Sequence, residues 1–91
     1  MTIRVELYGI PRQRAGTDVM SVSADSSGVS LGDVLEVLAK QSPGLAAACF
    51  DEGVLKKEYL ASIDGETFIT DPLVMLVPGQ TLLLFSADAG G

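Results

Sequence analysis

At 91 residues the chain is one domain, and 47% hydrophobic residues give it an ordinary globular core. Twelve acidic against six basic residues leave a net charge of -6, which repels phosphate backbones and argues against nucleic acid as a partner. The absence of histidine excludes catalytic dyads and triads built on it, and a single cysteine, Cys49, allows neither an internal disulfide nor a four-ligand metal site.

Thr2 to Tyr8 alternates, with Ile3, Val5 and Leu7 on one face and Arg4, Glu6 and Tyr8 on the other, which predicts a half-buried strand. Gly9, Pro11 and Gly16 break the pattern, and with Arg12, Gln13 and Arg14 they predict a polar loop. Asp18 to Ala24 alternates again and predicts a second strand, paired with the first as a hairpin. Asp25 to Gly28 reads as a turn. Ser30 is placed to cap a helix, with Asp33 reaching back three residues later and Val29 and Val34 set to close a hydrophobic staple. Leu31, Val34, Leu35 and Leu38 share one helix face, and Glu36 and Lys40 pair on the other.

Ser42, Pro43 and Gly44 are expected to end that helix. Leu45 to Phe50 predicts a short helical turn closed by Asp51, Glu52 and Gly53, and Lys56, Lys57 and Glu58 read as charged surface. Tyr59 to Ile63, a tight Asp64-Gly65 turn and Glu66 to Thr70 form a predicted hairpin. Asp71-Pro72 and Pro78-Gly79 interrupt the chain before a last strand from Thr81 to Phe85. Cys49, Met20 and Met75 read as small or flexible core side chains. The order strand, strand, helix, strand, strand, strand is an α+β pattern in which one main helix covers a mixed sheet of about five strands. This is the arrangement called the β-grasp. It is expected to occupy 1–91 as one domain, with 86–91 as an extended tail ending in Gly90 and Gly91.

A terminal glycine pair gains nothing by burial and gives up more backbone freedom than other residues when ordered. Without Cβ atoms it can be threaded through a narrow slot to present its carboxylate. In the last strand, Leu82 and Leu84 are expected to face the helix and Leu83 and Phe85 the opposite side of the sheet, with Phe68 joining them from the hairpin. An apolar patch of this kind at the root of a tail suits a partner that draws the tail in. The competing reading places Leu83 and Phe85 in the core.

Over nearly its whole length the sequence resembles the ubiquitin-like sulfur carriers of the MoaD and ThiS type. The resemblance rests on the opening strand, Gly16-Thr17-Asp18, the Ser30-capped helix and the Asp64-Gly65 turn. It continues through Pro78-Gly79-Gln80 and the apolar strand ending in Phe85, six residues before the chain finishes in Gly90-Gly91. Ser86-Ala87-Asp88 departs from the proline common after that aromatic position on the MoaD side. The resemblance implies a carrier rather than an enzyme. Gly91 would be adenylated by a ubiquitin-activating-type adenylyltransferase using ATP and magnesium, and a sulfur donor would convert it to a thiocarboxylate.

The sulfur would then pass to an acceptor such as the large, catalytic subunit of molybdopterin synthase. Thiamine, cysteine, methionine and transfer RNA thiolation are the other acceptors implied. A protein modifier joined to targets through Gly91, or a plain interaction domain, are the readings of other classes. A G-x-x-x-x-G-K loop is missing from the sequence, so ATP is expected to belong to the partner and no cofactor to this chain. No apolar run approaches a bilayer's thickness and no leader precedes Thr2, so the expected place is the cytoplasm, without membrane contact.

Overall fold

The structure is a computed structural model that describes residues 1–87; Asp88, Ala89 and the Gly90-Gly91 pair lie outside the described residues. Strand β1 (Thr2–Leu7) buries Ile3, Val5 and Leu7 completely, as the alternation requires. Where a polar loop is expected, residues Ile10–Ala15 form a short helix, α1. The apparent breakers are its boundaries. Pro11 sits in the first turn, where its missing N–H is no loss, and Gly16 at φ 73° ends the helix with its N–H donating to the Arg12 carbonyl at 3.0 Å.

Strand β2 (Val19–Ser23) returns antiparallel to β1, with Val5 opposite Met20 and Ile3 opposite Val22. A two-residue strand, β3 (Val29–Ser30), leads into the main helix α2 (Leu31–Gln41). The Ser30 hydroxyl accepts from the Asp33 N–H at 3.1 Å, so the cap forms. No reciprocal bond from the Ser30 N–H to the Asp33 carboxylate occurs among the described residues; Ser30 is instead paired with Met75 of a later strand. Leu31, Val34, Leu35 and Leu38 are all buried, and Lys40 and Glu36 meet at 3.5 Å on the solvent side.

Helix α2 does end at Ser42, but the same residues start the next helix, α3 (Pro43–Cys49). Ser42 caps it by accepting from the Leu45 N–H, and Pro43 occupies its first turn. A small hairpin unforeseen in the sequence follows, β4 (Phe50–Asp51) with β5 (Val54–Leu55), turning through Glu52 and Gly53 at positive φ. Strands β6 (Tyr59–Ile63) and β7 (Thr67–Ile69) flank the expected Asp64-Gly65 turn, whose two residues also take positive φ. Strand β8 (Met75–Leu76) pairs with β3, and β9 (Thr81–Ser86) closes the fold.

The main sheet runs β2-β1-β9-β6-β7, with β9 central, parallel to β1 and antiparallel to β6. One face carries Leu82, Leu84, Ala61 and the β1 apolar residues against α2, and this is the core. Met75 is not core filler as expected: it is 51% exposed, because β8 turns Leu76 inward and Met75 outward.

Candidate functional surface at the end of the last strand

The central strand β9 alternates without a break. Leu82, Leu84 and Ser86 are buried toward α2, and Thr81, Leu83 and Phe85 are half-buried on the far side of the sheet. Residues directly opposite one another share a face, so pairing extends this column sideways. Leu60 stands opposite Phe85, Ser62 opposite Leu83, and Phe68 opposite Ser62 in the next strand. Phe68 is 68% exposed, and its ring lies 6.1 Å from that of Phe85 at 55°, a tilted aromatic pair.

Leu83, Phe85 and Phe68 are thus brought onto one face, together with Leu60. Leu60 carries no clear signal in the sequence, because Tyr59-Leu-Ala-Ser-Ile63 gives no decisive alternation of its own; only its register against β9 assigns the face. Beneath the patch Ser62 is 2% exposed, with a hydroxyl that has no partner. Leu83 and Phe85 do not enter the core.

On its other flank the patch meets β1, with Glu6 beside Leu83 in the parallel pair. The Glu6 carboxylate accepts from the Arg4 guanidinium at 2.9 Å and from the Tyr8 hydroxyl. The Tyr8 bond and then the Arg4 contact hold the Glu6 carboxyl below its ordinary value. The same bond to Glu6, followed by desolvation, raises the Tyr8 phenol. Tyr8 therefore edges the apolar column with a polar tip committed to Glu6.

The chain leaves the sheet at the same end as the aromatic pair. Ser86 is paired with Tyr59, and the Ala87 N–H donates to the Glu58 carbonyl at 2.7 Å. The two expected reactive positions, Gly90 and Gly91, fall outside the described residues. Cys49 is fully buried, and burial pushes its thiol up, partly offset by the nearby Tyr59 hydroxyl. Such a thiol is poorly suited to nucleophilic work. Among the described residues no cluster of acidic and cysteine side chains could hold a metal ion, and no helix is long and apolar enough to cross a membrane.

SAMP1 from Haloferax volcanii superposes over 100% of both chains with a TM-score of 0.81 and 24% identity. The fold is the β-grasp. The putative molybdopterin converting factor subunit 1 from Pyrococcus furiosus shares it, with a TM-score of 0.74 and 18% identity over 94% of this chain and 97% of its own. A chain of the BexX/CysO complex from Amycolatopsis orientalis matches with a TM-score of 0.73 and 21% identity over 98% and 99%. No family model matches the sequence, and neither does any curated protein sequence. The likeness at these identities is one of β-grasp architecture. Each comparison spans nearly the whole of both chains.

Proposed function

We propose that this chain is a ubiquitin-like sulfur carrier whose Gly91 carboxylate is activated by a partner enzyme and converted to a thiocarboxylate. The observation that supports the reading most is the apolar column of Leu83 and Phe85, flanked by Phe68, at the end of the strand from which the tail departs. A patch there gives a partner something to bury while it takes the tail. A carboxylate with a pKa of about 3.5 is ionised at neutral pH and unreactive toward sulfur. The activating enzyme, holding ATP and magnesium, would form the acyl adenylate and release pyrophosphate. A hydrosulfide-equivalent donor would then displace AMP, so that sulfur replaces one carboxylate oxygen.

In this reading the carrier works in the cytoplasm and its acceptor is a catalytic subunit, as in the making of molybdopterin. The neighbour named as a molybdopterin converting factor subunit favours that acceptor. The chain supplies sulfur, and catalysis belongs to the partner. A second reading shares the activation step but joins Gly91 to amino groups of target proteins. It is favoured by a neighbour named as a small archaeal modifier protein.

The test incubates the purified chain with its activating enzyme, ATP, magnesium and a sulfide source, and weighs the product. A carrier gains about 16 Da, because sulfur replaces oxygen in a group that is otherwise an ordinary carboxylate. A modifier appears instead in larger conjugates. Removal of Gly90 and Gly91 is expected to abolish either product while circular dichroism reports an unchanged fold. Continued sulfur loading of the shortened chain would end the proposal.

A further inference from the structure

Beside the aromatic patch lies a cavity of about 320 Å³, within the range of small ligand pockets. Its origin is a strand that stops early. Strand β7 ends at Ile69, opposite Ala61, so Tyr59 and Leu60 have β9 on one side and no strand on the other. The β4–β5 hairpin and the start of α2 stand across the gap, with Val54, Leu55, Leu31 and Leu35 in the walls. Leu60 links the two places through its backbone: its side chain shares the outward face with Phe85, while the strand at this position borders the cavity. The mouth also lies near the root of the tail, because Lys57 and Tyr59 flank Glu58, whose carbonyl binds the Ala87 N–H.

Its charge is the reverse of the molecule's. On a chain of net charge -6, this cavity is lined by Lys56 and Lys57 and by no acidic side chain. Lys56 is half-buried, its ammonium donating to the Ala47 carbonyl at 3.4 Å, so its reach is set by the neighbouring helix. Lys57 is exposed, in keeping with the expectation of charged surface.

We infer that this cavity receives a partner-protein segment in which a large apolar side chain is followed by a carboxylate. The apolar group fills the space between Val54 and the Leu31 and Leu35 side chains, and the carboxylate meets Lys56 and Lys57. The inference rests on the carrier reading only for the direction from which a partner arrives; the site itself is read on the isolated chain. It sets a polar anchor at the sheet edge where β7 stops, on the α2 side and next to the apolar face, and so selects among partners that can reach round that edge to cover Phe85.

The experiment titrates the ¹⁵N-labelled full chain with acetyl-Phe-Glu-amide and follows its amide spectrum. The amides of Leu55, Leu60, Ile69 and Thr70 are expected to shift. Acetyl-Phe-Gln-amide is expected to bind roughly three- to fivefold more weakly, the size of one exposed ion pair. The Lys56→Gln/Lys57→Gln variant should lose that preference, and Val54→Trp, at an exposed wall position, should abolish binding of both peptides. Equal affinity for the two peptides, shifts confined to the Phe68 and Phe85 face, or no shifts at millimolar peptide would overturn the assignment. A third arm uses 4-phenylbutyrate, which carries the same two groups without a peptide. Binding more than tenfold tighter than the peptide's would assign the cavity to a small free acid and sink the protein segment. Sulfur loading of Gly91 plays no part in any arm, so failure here leaves the 16 Da measurement to judge the carrier reading separately.

Discussion

Phe85 and Phe68 divide the work of the patch differently. Phe85 is half-buried against Leu60 and fixed by strand pairing, whereas Phe68 is mostly exposed and rests on its neighbour's ring. Truncation of the first removes a preorganised anchor. Phe85→Ala is expected to weaken binding to the activating enzyme by about 2 kcal/mol, roughly thirtyfold in Kd by titration calorimetry. Phe68→Ala should cost less and leave the melting temperature nearly unchanged. Equal affinity of Phe85→Ala and the parent chain would remove this residue from the interface. Beside them, Glu6 offers a residue-level test of electrostatics. Its folded pKa is lowered, first by the Tyr8 hydroxyl and then by Arg4, so the fold favours the ionised form. That contribution is present above the ordinary glutamate value of 4.5 and is lost as pH falls through the lower folded value. A carboxyl-carbon NMR titration should place the Glu6 midpoint below 4.5, and Tyr8→Phe should move it upward. An unmoved midpoint in the variant would mean that the Tyr8 hydroxyl does not set it.

At the scale of elements, the two small helices depend on one close approach. A Cβ on Gly44, in the first turn of α3, would lie 2.9 Å from the Arg14 carbonyl oxygen at the end of α1. The obstacle is backbone and cannot swing aside. Gly44→Ala is expected to destabilise the fold by about 1 to 3 kcal/mol in denaturant melts, the cost of overpacking, despite alanine's better helix propensity. A gain in stability would show that α1 and α3 separate freely. The same contact explains what was and was not legible in the sequence. Elements that bury one face over five or more residues, such as β1, α2 and β9, announced themselves through Ile3-Val5-Leu7, Leu31-Val34-Leu35-Leu38 and Leu82-Leu84. Helix α1 did not, because Gly9, Pro11 and Gly16 punctuate a loop and bound a six-residue helix equally well; tertiary packing on α3 decides between them. The pairs β3–β8 and β4–β5 are two residues long and lie below any periodicity. In the candidate surface, the outward column of β9 followed from alternation alone, while Leu60 and the cavity required register and the early end of β7, which only pairing reveals.

For the molecule as a whole, charge rather than packing sets the most accessible test. Ion pairs among the described residues number two, Arg4 with Glu6 and Lys40 with Glu36, and the side chains of the second pair are well exposed. Such pairs contribute little each, so the net charge of -6 is mostly uncompensated at short range. The body measures 35 × 26 × 22 Å along its principal axes. At 0.01 M salt the screening length is about 30 Å, so carboxylates repel one another across the whole fold; at 0.15 M it falls to about 8 Å and only neighbours interact. Unfolding relieves this repulsion by spreading the charges, and salt removes the incentive. The melting temperature at pH 7 is therefore expected to rise by roughly 3 °C between those two salt concentrations, which corresponds to about half a kcal/mol in a domain of this size. Calorimetry at a series of sodium chloride concentrations measures it directly. A falling melting temperature would mean that attractive contacts such as the Arg4, Glu6 and Tyr8 row outweigh the long-range repulsion. The acidic surface would then be organised locally, and its overall sign would say less about the partner than the lysine-lined cavity does.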